Sequence, residues 1–176
     1  AGLPNGDEFF NDQGYSNAFK HYALQPKMYD YLFELKEKTA RKHTLYLGEA
    51  TFANRENTLP LVGDDRPLDL VFQFELMDVD GGQNKFDVIK VDYNRFKESL
   101  FAWQNLIPWN TLFLGNHDQS RQVSRFGNTT NPTLWKRSAK MLAAGIHFLK
   151  GTSFIFQGDE IGMTNVDFKS VNDLKD

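Results

Sequence analysis

Apolar and polar positions along this chain follow two rhythms. Met28, Tyr31, Leu32 and Leu35 fall at i, i+3, i+4 and i+7, one face of a helix, with Pro26 placed for its first turn. Charges from Glu34 to Lys42 form its solvated side. Thr44-Leu45-Tyr46-Leu47 then reads as a short strand that stops at Gly48-Glu49. An Asn-, Pro-, Gly- and Asp-rich loop covers 54–67, and 68–76 reads as a second buried strand through Leu70, Val71, Phe72 and Phe74. A polar Gly-rich loop at 78–84 leads to a helix over 95–106, with Phe96, Leu100 and Trp103 on one face. A third strand is expected at 109–114. The clearest helix runs over 133–150, with Trp135, Ala139, Leu142, Ile146 and Leu149 in a stripe and Gly151 as its C-cap. Ser153-Phe154-Ile155-Phe156 forms a fourth strand before Gln157-Gly158-Asp159-Glu160.

Helix, strand, strand, helix, strand, helix, strand is the alternation of an α/β fold with parallel strands. Each strand hands polar or acidic residues to the loop after it: Glu49, then Glu75 with Asp78, then His117 with Asp118, then Asp159 with Glu160. Carboxylates gathered at the C-terminal ends of parallel strands suit the active face of a (β/α)₈ barrel. A doubly wound open sheet gathers ligands there too, so this feature alone does not choose between them.

Composition narrows the classes. The 176 residues, 40% hydrophobic with 16 Phe, suffice for one domain with a sizeable core. Net charge is −3 with no Lys/Arg cluster, which argues against a nucleic-acid partner. No apolar run reaches the roughly 20 residues of a membrane span, so no membrane partner is expected. Without Cys there is neither a disulfide framework nor a thiolate metal site, which suits a cytoplasmic setting without excluding secretion. The opening AGLPNGDEFFNDQGYSN is polar, unlike a signal peptide, and reads as a loop entered in mid-fold.

The third strand carries the sharpest signal, Leu112-Phe113-Leu114-Gly115-Asn116-His117-Asp118, an apolar run that stops at three polar side chains. Two chemistries use such an ending. A two-metal phosphoesterase needs several imidazole and carboxylate ligands around ions about 3.5–4 Å apart. The four histidines here (His21, His43, His117 and His147) form neither D-x-H nor G-H-x-H, and Gly63-Asp64 sits in a loop rather than after a strand. His21 and His43 flank a helix and His147 lies beside an apolar stripe, all positions for structural or surface histidines. The metal reading fails for want of ligands, and no metal or other cofactor is expected. Glycoside hydrolysis instead needs two carboxyl groups astride the scissile bond, roughly 5–5.5 Å apart when configuration is retained. Charged hydrogen bonds to hydroxyls fix the sugar ring. Glu49 and Asp118, at two strand ends, meet the residue-type requirement. Taken singly, a Glu after a strand is more often a cap or a surface residue.

The run Phe113 to Gly127, FLGNHDQSRQVSRFG, resembles the fourth sequence region of the α-amylase-like glycoside hydrolase family. It is most similar to the oligo-1,6-glucosidase, dextran glucosidase and trehalose-6-phosphate hydrolase branch, which usually reads NNHDQPR-x-VSRFG. LYLGEA at 45–50 resembles the family's fifth barrel strand, DLVFQFELM at 69–77 its sixth, and GTSFIFQGDEIGMTN at 151–165, preceded by SAKML at 138–142, its seventh helix and eighth strand. The likeness runs from about residue 3 to the end. It implies that 1–176 is the C-terminal half of a (β/α)₈ TIM barrel, strands five to eight with their helices, and it implies a retaining α-glucosidase acting on short α-glucosidic oligosaccharides. It implies Glu49 as proton donor and then base, and Asp118 as the carboxylate that holds the sugar's 2- and 3-hydroxyls and stabilises the oxocarbenium-like transition state. His117 and Asn116 would bind the same sugar, and Arg121 would grip the 4-hydroxyl of a non-reducing terminal glucose. Ser120 stands where Pro is usual, and Gly115 where Asn is common.

The family's nucleophile is an Asp in an R-x-D-V-I-type segment ending the fourth strand, and no such segment occurs here. The resemblance therefore places it before residue 1, together with the first four strands, and the 176-residue chain alone is expected to be inactive. Half a barrel also leaves open sheet edges that call for the missing half as partner. A sugar-binding or engineered half-barrel without catalysis is the alternative from another functional class.

Overall fold

The computed structural model describes residues 21, 23–81 and 89–173. The opening loop at 1–17 lies outside them, as does the end of the 78–84 loop. The chain divides after Gln73 into two compact units, each described by itself.

In the first unit, α1 (Pro26–Thr39) starts where the proline predicts, with Pro26 in the first turn. None of its residues is fully buried: Met28 and Leu32 are half-covered, while Tyr31 and Leu35 are exposed. β1 (Leu47–Glu49) and β2 (Leu70–Phe72) pair in parallel, Leu47 opposite Leu70 and Glu49 opposite Phe72. The entry to this pair is set by Asp69, whose carboxylate accepts from the Tyr46 N–H at 2.7 Å and from Lys36 Nζ at 3.1 Å. Lys36 also donates to the Arg66 carbonyl and lies over the Tyr46 ring, so the last turn of α1 holds the mouth of both strands. The loop between them is self-organised. Asn54 Oδ1 accepts the N–H groups of Glu56 and Asn57, buried Thr58 donates to the Asn54 carbonyl, and Leu61 and Val62 are buried.

In the second unit, α2 (Tyr93–Leu106) begins two residues before its expected start, because Asp92 caps it through the Asn94 and Arg95 N–H groups. Trp103 is buried and donates through Nε1 to Glu75 at 2.9 Å; Phe96 meets Phe126 edge-on. β3 (Asn110–Leu112) is buried at all three positions and continues into buried Phe113 and Leu114. A short helix that periodicity did not announce, α3 (Gln122–Phe126), buries Val123 and Phe126. α4 (Pro132–His147) is capped by Asn131, whose Oδ1 accepts the Leu134 N–H, and it buries Leu142 and Ile146 of the expected stripe. β4 (Gly151–Ser153) pairs in parallel with β3, Asn110 opposite Gly151 and Leu112 opposite Ser153.

Three expectations need correction. The strands are three residues long, at 47–49, 70–72, 110–112 and 151–153, because ladder hydrogen bonds stop where the apolar runs do not. After β3 the apolar run continues past the pairing into buried Phe113 and Leu114, whereas the ladders of β1 and β4 share only Leu47 and Ser153 with the strands expected at 44–47 and 153–156, and Leu45 and Ile155 are exposed. Helix α4 ends at His147 rather than at 150. Gly151 is accordingly no C-cap but the first residue of β4, at φ 153°, where a Cβ would lie 2.3 Å from the Asn110 carbonyl oxygen. The element order and both parallel pairings bear out the α/β reading.

Candidate active site

In the first unit Glu49 is the last residue of β1, and its side chain is exposed. The residue after it turns inward: Ala50 is buried and its N–H donates to the Phe72 carbonyl at 3.0 Å. Glu49 is thus anchored through its backbone while its carboxylate faces outward.

The other expected site residues lie together in the second unit. Past Leu114 the chain surfaces in a tight turn, where Asn116 Oδ1 accepts the Asp118 N–H at 2.9 Å. An Asn bonding its own backbone two residues on is an Asx turn, which fixes the direction in which the next side chains leave. His117 Nε2 stands 3.6 Å from Asp118 Oδ2, with the side chains 72% and 48% exposed. The pair is open to a ligand. Asn116 therefore shapes the turn through Oδ1 as well as standing in the expected sugar-binding set.

Arg121 is held more firmly. Its guanidinium packs over the Phe156 ring, 4.7 Å from the centroid, and donates through Nη1 to the Gln157 carbonyl. Its backbone N–H donates to Asn165 Oδ1 at 2.7 Å. The segment after β4 therefore meets the segment after β3 at this arginine.

Other acidic residues expected at strand ends are occupied in shaping the loops. Asp159 accepts from the Phe156 N–H and Glu160 from the Gly158 N–H, so both set the turn after β4. Glu75 is bound to Trp103. A buried pair that the sequence reading missed is Asp80 with Arg125, whose side chains are 4% and 5% exposed. Arg125 reaches both carboxylate oxygens through Nε and Nη2, donates to the Met77 carbonyl, and lies over the Phe126 ring. Forty-five residues separate the partners, and the only sequence trace was an Arg inside the VSRFG run.

A carboxylate that accepts only, an imidazole that does either, and a guanidinium that donates only are complementary to the paired donors and acceptors of adjacent hydroxyls. Among the described residues no group of three His, Asp or Glu side chains is placed to hold a metal ion, and no helix is long and apolar enough to cross a membrane.

Comparison with known proteins gives the family. Oligo-1,6-glucosidase of Bacillus cereus is 40% identical over 181 residues, covering 99% of this chain and 32% of that protein. Trehalose-6-phosphate hydrolase of Bacillus subtilis (strain 168) is 33% identical with the same coverage. The crystal structure of Bacillus licheniformis trehalose-6-phosphate hydrolase matches with a TM-score of 0.83 at 32% identity, over 94% of this chain and 30% of that one. Trehalulose synthase from Pseudomonas mesoacidophila MX-45 matches with a TM-score of 0.77 at 37% identity, over 87% of this chain and 28% of that one. The chain thus spans about a third of the length of the relatives it matches, and its fold class is that of part of a (β/α)₈ barrel. The family model for the alpha amylase catalytic domain matches residues 4–176. Because that match takes in β1 to β4 and every strand-end residue described above, the chain belongs to the alpha-amylase catalytic domain family.

Proposed function

We propose that this chain contributes strand-end residues to a retaining α-glucosidase that cleaves short α-glucosidic oligosaccharides, foremost α-1,6-linked ones, from the non-reducing end. The observation that carries the reading is the placing of Asn116, His117, Asp118 and Arg121 after the C-terminal end of a buried parallel strand, with His117 and Asp118 exposed to a ligand. The names of the relatives, oligo-1,6-glucosidases and trehalose-6-phosphate hydrolase, support the substrate class.

In this reading Glu49 protonates the glycosidic oxygen as the bond breaks, then takes a proton from the water that completes the reaction. Asp118 accepts hydrogen bonds from the 2- and 3-hydroxyls, and these strengthen as positive charge grows on the ring. His117 and Asn116 bind the same sugar. Arg121 donates to the 4-hydroxyl, which is free only on a terminal glucose, so its grip favours chain ends. The attacking carboxylate is not among the residues named here.

The test uses the natural polypeptide that contains this sequence, assayed on isomaltose, dextran, maltose and trehalose-6-phosphate. Isomaltose is expected to be the best substrate, with α-glucose as the first product by proton NMR. β-Glucose first, or no cleavage of any of the four, overturns the proposal. Sucrose belongs in the same panel, because the matched trehalulose synthase has a structure in complex with the substrate sucrose. An isomerised disaccharide as main product would favour an isomerase reading over hydrolysis.

A further inference from the structure

Arg121 occupies the N-cap of α3, and its side chain makes no cap hydrogen bond. Short polar side chains suit that position, since they can accept from the first N–H groups of the helix, and a guanidinium can only donate. The N-cap residue's own N–H finds its acceptor far along the chain. Asn165 Oδ1 takes the Arg121 N–H at 2.7 Å; the Asn165 N–H donates to Ser124 Oγ at 2.9 Å; the Ser124 N–H donates to the Arg121 carbonyl at 3.0 Å. The three bonds close a ring through residues 121, 124 and 165. The arginine side chain meets the same distant segment, over Phe156 and against the Gln157 carbonyl. Gly158, at φ 100°, keeps that approach open, because a Cβ there would stand 3.0 Å from Arg121 Nη1.

We propose that Asn165 is a positioning residue for Arg121: by accepting its backbone N–H, it holds the arginine where the guanidinium meets the end of a sugar chain. The ring holds the backbone, and the Phe156 and Gln157 contacts hold the side chain, so the guanidinium is ordered before substrate arrives. The consequence for chain ends rests on the α-glucosidase reading; the latch itself rests only on the hydrogen bonds.

The test compares Asn165→Ala, Asn165→Asp, which keeps an acceptor, and Arg121→Lys in the natural polypeptide, using p-nitrophenyl α-glucoside and its 4-deoxy analogue. Asn165→Ala is expected to lower kcat/KM on the parent sugar about tenfold, mostly through KM, and to leave the 4-deoxy sugar within about twofold. Asn165→Asp should retain most of the parent activity, and in an Arg121→Lys background Asn165→Ala should cost less than about twofold more. Equal losses on both sugars, or additive losses in the double variant, overturn the effect on chain ends. Backbone amide exchange at Arg121 is read in parallel. It should quicken about tenfold in Asn165→Ala and stay near wild type in Asn165→Asp; unchanged exchange in Asn165→Ala overturns the latch. Should the wild-type polypeptide cleave neither sugar, the glucosidase reading falls and the exchange measurement still decides the latch.

Discussion

Each unit of the chain ties a loop down with a cation–aspartate pair, and the two pairs are built differently. In the first unit Lys36 meets Asp69 through one contact of 3.1 Å, with the side chains 28% and 33% exposed. In the second, Arg125 meets Asp80 through two nitrogens, with both side chains almost fully enclosed. The partners around each follow suit: α1 buries none of its residues, whereas β3 is buried throughout and α3 buries Val123 and Phe126. The candidate site residues do not follow that division in exposure, since Glu49 and Asp118 are both exposed, but they differ in how their backbones are held. Glu49 leaves the end of β1 with an exposed carboxylate, while Asp118 and Arg121 leave β3 through turns fixed by Asn116 and Asn165. One region presents its candidate carboxylate on a strand end held through the backbone ladder; the other adds side-chain-to-backbone hydrogen bonds from Asn116 and Asn165, both at the surface, beside a core that is enclosed.

Substituting the proposed acid/base Glu49 tests the first half of that contrast and carries the largest expected effect. In the natural polypeptide, Glu49→Gln should lower kcat about a thousandfold through loss of general acid–base catalysis. Its unfolding free energy should stay within about 0.5 kcal/mol of wild type, as for an exposed side chain. A large stability change would show that Glu49 is a structural residue after all. Next comes Arg125→Ala, which strands a buried Asp80 charge and should cost about 3–5 kcal/mol in denaturant unfolding. Replacing both partners by apolar residues, Asp80→Leu with Arg125→Met, should recover at least about half of that, because no charge is then left buried. If the double variant is as unstable as the single, the pair acts through more than charge.

Smaller effects sharpen the comparison. Gly151→Ala should cost about 2 kcal/mol, from a backbone region hostile to Cβ and from collision with the Asn110 carbonyl. Lys36→Ala should cost less than about 1 kcal/mol, as solvent-screened pairs do. A Lys36 effect matching that of Arg125 would erase the distinction between the units.

Much of the architecture was legible because it is locally encoded. Pro26 at a helix start, the spacing of Leu142 and Ile146, and the polar stop after Leu114 all appear in the folded chain where the pattern puts them. The α3 helix escaped detection because five residues are too few to establish a period. Gly151 was misassigned because a glycine after a helix and a glycine opening a strand look alike until the partner carbonyl is placed. Asp159 and Glu160 looked like site carboxylates, yet they accept from backbone N–H groups two and three residues away, a use that acidic composition does not reveal.

By itself the sequence determined which residue types stand at the strand ends, the α/β alternation, and a family resemblance strong enough to nominate Glu49, Asn116, His117, Asp118 and Arg121. Those features depend on neighbours within a few positions, where periodicity and turn chemistry act. Only the tertiary structure decided which groups are held and by what: Asp80 by Arg125, Glu75 by Trp103, and Arg121 by Asn165. Such contacts join residues 28 to 45 positions apart, and they exist only once folding has brought the segments together. For Asp80 and Arg125 the fold also supplies enclosure, which no single segment of the chain contains.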